Sequence, residues 1–150
     1  MNGHEPDIVY IRPVYLDEDE KTIRGEVEQA LHNFLAFNAS PVESLQDEKK
    51  KAELVAKGYG FYASGALESL TKLTYEQIVD QEIGFIGTPD KVIRQIEGLR
   101  AKGGIGELAI VSNFGGLDHW KSIKTQQLFA QHVIPAFRPT ESVTLKKDQA

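Results

Sequence analysis

Residues 83–92 read IGFIGTPDKV. Ile83, Phe85 and Ile86 have the β-branched and aromatic character of a buried strand. Gly87 permits a sharp turn, Thr88 can cap a helix, and Pro89 suits a first helical turn because its missing N–H is not needed there. The stretch predicts a strand over 83–86 and a helix from Pro89 to about Ala101, with Val92, Ile93, Ile96 and Leu99 inward. A helix start of this kind can hold an anion. Here it lacks the glycines of a phosphate loop, and Asp90 places a negative charge where the anion would sit, so local chemistry favours a well-made helix start.

Downstream, the glycines of 103–106 close that helix, and ELAIVSNF (107–114) is a continuous apolar run of the kind buried on both faces of a sheet. A GGLDHW turn leads to a last helix over 119–138, for which Trp120, Ile123, Leu128 and Val133 are the expected inward residues. Upstream, 7–16 reads as a strand limited by Pro13, followed by Asp17 as helix cap with Glu20 completing a capping box. Ile23, Val27, Ala30, Leu31, Phe34 and Leu35 form one apolar stripe at helical period, and Asn38, Ser40 and Pro41 are expected to end that helix. Residues 41–82 hold only short helical patches, one capped by Thr74, and read as an inserted, lid-like segment; 139–150 is a polar tail. The order is β-α-insert-β-α-β-α. It predicts an α/β fold with parallel strands, whose ligand loops lie at the C-terminal strand ends: after Tyr15, at the GTP turn, and at SNFGGLDHW.

The chain has 150 residues, the length of one domain. Its 17 basic and 22 acidic residues give a net charge of -5, which offers nucleic acid and anionic membranes no general attraction. The basic run Lys49, Lys50, Lys51 is offset by Asp47, Glu48 and Glu53 and reads as a solvated helix face. The absence of cysteine excludes disulfides, thiolate catalysis and Cys-ligated metal. The N-terminus carries no signal-peptide pattern, and no apolar run approaches the ~20 residues of a membrane helix, so a cytoplasmic soluble chain is expected. His4, His32, His119 and His132 share no ligand spacing; no metal is expected, and no nucleophile elbow accompanies any Ser-His-Asp order.

Two loops could carry chemistry. In SNFGG, Ser112 and Asn113 put polar groups at a strand end, Phe114 offers a flat apolar face, and Gly115 and Gly116 allow close backbone approach. His119, just beyond, could donate a hydrogen bond or exchange a proton near neutral pH. The alternative is a glycine-rich connection with Phe114 in the core and His119 on the surface. In YGFYASG, Tyr59, Phe61 and Tyr62 could wall a pocket closed by the insert, or simply pin the insert to the body.

Taken together, GFIGTPDKVIRQIEGLRAKGGIGELAIVSNFGGLDHWKSIKTQQLFAQHVIPAFR resembles the C-terminal end of the bacterial luciferase-like flavin monooxygenase family. The likeness rests on Gly87-Thr88-Pro89, the glycines of 103–106, Phe114-Gly115-Gly116, and Phe129 through Val133, Ile134 and Pro135; RPVYLDEDEKTIRGEVEQAL extends it upstream, to about 8–138 in all. The resemblance implies the C-terminal part of a (β/α)8 TIM barrel, which in full takes about 250 residues. It also implies an oxidoreductase using reduced FMN, or the deazaflavin F420, and in the monooxygenases O2, on a small organic substrate. Ser112, Asn113, Phe114, Gly115 and Gly116 would then face the flavin, and Tyr59, Phe61, Tyr62 and His119 the substrate. The family's flavin-phosphate and catalytic groups lie largely on earlier strands, so the implied fragment is inactive alone and associates with the missing barrel half or with itself. A non-catalytic module that binds a partner chain or self-associates is the alternative.

Overall fold

The computed structural model describes residues 9–43, 47–103 and 106–138, with only the backbone of 41–43. The predicted 139–150 tail, His4 and Gly104 lie outside the described residues. The centre of the sheet is β1 (Val9–Leu16). Its last residues, Val14, Tyr15 and Leu16, pair in parallel with β2 (Phe85–Gly87). Its first five, Val9 to Pro13, pair in parallel with β3 (Glu107–Val111). The strands are parallel, as expected, and the order is β2-β1-β3. The first strand of the chain is thus the middle one of the sheet. Pro13 is tolerated in this central strand because it is the last partner of the β3 ladder, where a missing N–H interrupts neither ladder's interior.

Between β1 and β2 lie α1 (Glu20–Glu43), α2 (Glu48–Ala56), α3 (Gly60–Ala63), α4 (Ala66–Leu70) and α5 (Tyr75–Asp80). Between β2 and β3 lies α6 (Pro89–Ala101). The chain continues through α7 (His119–Leu128), a π-helical turn (Phe129–Val133) and α8 (Ile134–Phe137). The crossover to β2 runs one way from β1 and the crossover to β3 runs back past it, so right-handed connections put their helices on opposite faces. The core divides accordingly. Tyr15 and Ile86 pack with Ile23, Val27, Leu31 and Leu35 of α1 and Ile78 and Val79 of α5. Val14, Leu16 and Phe85 pack on the other face with Val92 and Leu99 of α6, Leu128 and Val133. Each fully buried aliphatic or Phe side chain contributes about 1.5–3 kcal/mol of transfer free energy, which makes these two layers the main stabilising term.

Three details depart from the sequence reading. Asp17 does not cap α1; the Asp19 carboxylate accepts the Lys21 N–H at 3.0 Å, and Asp17 is buried. Pro41 does not stop α1, which continues to Glu43. The Ser40 hydroxyl donates to the Phe37 carbonyl at 2.8 Å, the acceptor that Pro41, lacking an N–H, leaves without its helical donor. In α7 the buried face is Ser122, Thr125 and Leu128, while Trp120 and Ile123 are exposed. Thr125 is inward because that helix lies over the end of β1, whose Leu16 N–H needs an acceptor; the buried Ser122 Oγ has no hydrogen-bond partner among the described residues. Residues 47–82 form short helices and no strand; Thr74 caps α5 in a capping box with Gln77.

Candidate functional site

In an open parallel sheet, a crevice forms at the carboxyl ends where the chain reverses its direction of progress. The order β2-β1-β3 puts that point between the ends of β1 and β3. One turn of α7 ties these ends together. Thr125 Oγ1 accepts the Leu16 N–H at 3.2 Å, and Gln126 Nε2 donates to Ser112 Oγ at 2.8 Å. Lys124 Nζ donates to Asp17 Oδ2 at 2.6 Å. The Asp17 N–H donates to the Gly87 carbonyl at 3.3 Å, which joins the end of β2 to the same cluster.

Asp17 is the buried charge of this edge, 4% exposed. Burial by itself would raise its pKa. The hydrogen bond and charge of Lys124, with backbone N–H donors from Asp19 and Glu18, outweigh burial and hold the carboxyl below its usual range. The same hydrogen bond raises Lys124 against a smaller opposing desolvation. The linkage sign follows directly. A depressed carboxyl pKa contributes stability that is present above the unfolded value and lost as pH falls through the folded one. An Asp17→Asn variant is expected to lose about 1–2 kcal/mol at pH 7, less than for a fully buried pair because Lys124 is partly exposed. The gap should close as pH falls through the depressed range in which the folded Asp17 carboxyl takes up its proton. Urea titrations at a series of pH values check this, and a pH-independent gap would remove Asp17 ionisation as its source.

Tyr15, fully buried on the α1 face, donates its hydroxyl to Glu26. Burial first, and this carboxylate second, push the phenol pKa up, so it stays protonated. Sequence reasoning missed both Asp17 and this pair. In the sequence Asp17 reads as a helix cap, and its lysine lies 107 residues away.

The five SNFGG residues do not form one open wall. Ser112 and Phe114 are buried, and Phe114 meets the Phe34 ring edge-to-face at 5.7 Å. Gly115 has φ +59°, and a Cβ there would lie 1.8 Å from the Ala30 carbonyl oxygen of α1. Its own carbonyl accepts from Asn33 Nδ2 at 2.9 Å. The loop is thus folded onto the middle of α1, and Asn113 and Gly116 are the members left facing outward, with His119 exposed at the start of α7. Tyr59, Phe61 and Tyr62 are 53%, 59% and 48% exposed, with Tyr62 meeting Phe61 edge-to-face and Tyr59 at a tilt. They belong to a layer, α2 to α4, without a buried residue. Among the described residues, no hydrogen bond or ring contact links them to the 112–119 loop. No group of three metal-ligating side chains is present among the described residues, and no described helix is long and apolar enough to cross a membrane.

No protein-family model matches the chain, and no curated protein matches it. Among solved structures, the crystal structure of the monooxygenase RslO1 from Streptomyces bottropensis is similar in fold, with a TM-score of 0.58 at 23% identity. The alignment covers 91% of this chain and 33% of that one, so the chain spans about a third of the length of its structural neighbour.

Proposed function

We propose that the chain is the C-terminal part of a flavin-dependent oxidoreductase of the luciferase-like monooxygenase class, acting on a small organic substrate with reduced FMN or F420. The observation that supports this most is the fold likeness: nearly the whole chain aligns with one third of a protein named as a monooxygenase. The sequence motifs of 87–89, 103–106 and 114–116 point the same way. The bound flavin would supply electron transfer to O2 or to the substrate. The groups this chain can offer it are those left outward at the crevice: the Asn113 amide, the open backbone at Gly116, and His119. Ser112, Phe114 and Gly115 shape the loop that carries them. Tyr59, Phe61 and Tyr62 would wall the substrate side once the insert closes.

The isolated chain is expected to bind FMN negligibly, because Asp17, Lys124, Ser112 and Gln126 at this edge are paired with one another and α1 occupies the inner side of the 112–116 loop. Fluorescence titration with FMN checks this; tight stoichiometric binding by the chain alone would contradict it. Supplying the remaining barrel is expected to restore flavin-dependent NAD(P)H or O2 turnover. If no flavin binds with or without it, the oxidoreductase reading fails.

One observation favours the second reading, a module that associates with itself or a partner chain. Val9 and Ile11, alternate residues of β1, are 50% and 61% exposed and lie beside Glu107 and Ala109 of β3, an edge strand. Sedimentation showing a clean monomer at high concentration would count against it.

A further inference from the structure

A trough runs between α6, the start of β3 and the C-terminal helix, at the N-terminal ends of the strands and away from the 112–119 loop. Ile96, Leu108 and Phe137 line both of its arms. One arm, of about 310 Å³, is completed by Phe129, Val133 and Ile134, and Arg138 is the only charged residue among the described residues that line it. The other, of about 270 Å³, carries Arg100 and Glu107.

We infer that the first arm binds a small amphipathic carboxylate, its apolar body on Ile96, Leu108 and Phe129 and its carboxylate on Arg138. Size sets the class: the arm is at the small end of ligand pockets, roughly 300–1,000 Å³, so it suits a medium chain or a single ring. Charge sets the orientation. Arg138 takes part in no ion pair with a described carboxylate, so its planar fork is available for bidentate pairing. In the other arm Glu107 repels an anion and offers Arg100 a countercharge. Ile134, 40% exposed, leaves one apolar wall in water until a ligand covers it. The wall itself is the π-helical turn 129–133, a geometry frequent at functional sites. The site is independent of the flavin reading.

Calorimetric titration of the full chain with octanoate and with octanol tests this. The expected result is one site that takes octanoate roughly tenfold more tightly than octanol. Arg138→Gln is expected to abolish that difference while leaving octanol binding unchanged. Ile134→Trp, which fills the arm from a partly exposed position, is expected to abolish both, with the fold verified by circular dichroism. The inference is overturned by equal affinities, by octanoate binding that Ile134→Trp does not affect, or by no binding at all. Binding seen only after truncation at Arg138 would also overturn it, by assigning the groove to the chain's own last residues.

Discussion

Gly115→Ala is expected to cost at least about 3 kcal/mol of folding stability. The new Cβ would land 1.8 Å from the Ala30 carbonyl oxygen and 2.6 Å from its carbon, both backbone atoms of α1. A flexible side chain could swing aside, but a helix backbone packed on Tyr15 and Ile86 cannot, so either α1 or the loop must move. Overpacking of this kind costs ~1–3 kcal/mol, and a left-handed φ adds about 1–2 for a residue with a Cβ. Gly116→Ala is the control. Its φ of +83° carries the same backbone penalty, but no atom lies within 4 Å, so about 1 kcal/mol is expected. With a urea slope of roughly 2 kcal/mol per M, the two midpoints should differ by about 1 M. Equal losses would mean that the loop is not seated on α1.

Phe114→Ala is expected to be at least as damaging, at about 3–5 kcal/mol, the usual cost of emptying a buried phenylalanine site. The ring is 4% exposed and belongs to the core shared by α1 and α5, with Phe34 against its edge. Phe61→Ala, at an equally prominent aromatic of the sequence but 59% exposed, should change stability by less than about 0.5 kcal/mol. Thermal or urea denaturation of the two variants separates a core aromatic from a surface one. A mild Phe114→Ala would restore the reading in which that ring faces a ligand. Because Phe114 and Gly115 press on the same stretch of α1, losses in a double variant should fall short of their sum.

The candidate site was only partly legible in the sequence. SNFGG was recognisable as a strand-end loop because an apolar run stops there and two glycines follow. Which of its residues face outward depends on α1, eighty residues earlier, and no local pattern announces that contact. The polar inward face of α7 was invisible for a related reason. Periodicity identifies helices that bury apolar stripes, and it misreads one whose inward side includes Thr125, the acceptor of the Leu16 N–H. Trp120 and Ile123, two of the three large apolar residues of that helix, lie on its exposed side.

By itself, the sequence determined the elements: the α1 stripe from Ile23 to Leu35, the strand–turn–helix at 83–101, the apolar strand at 107–111, and the parallel direction of the strands; β3 is nonetheless an edge strand with no fully buried residue, not the doubly covered strand its composition predicts. Each follows from chain-local physics, since side-chain spacing, glycine, proline and capping chemistry act over a few residues. Only the tertiary structure decided that β1 is central, that α1 and α6 cover opposite faces, that Asp17 pairs with Lys124, and that Gly115 presses on Ala30. Those outcomes depend on which distant surfaces meet, and the same local signals are compatible with several ways of bringing them together.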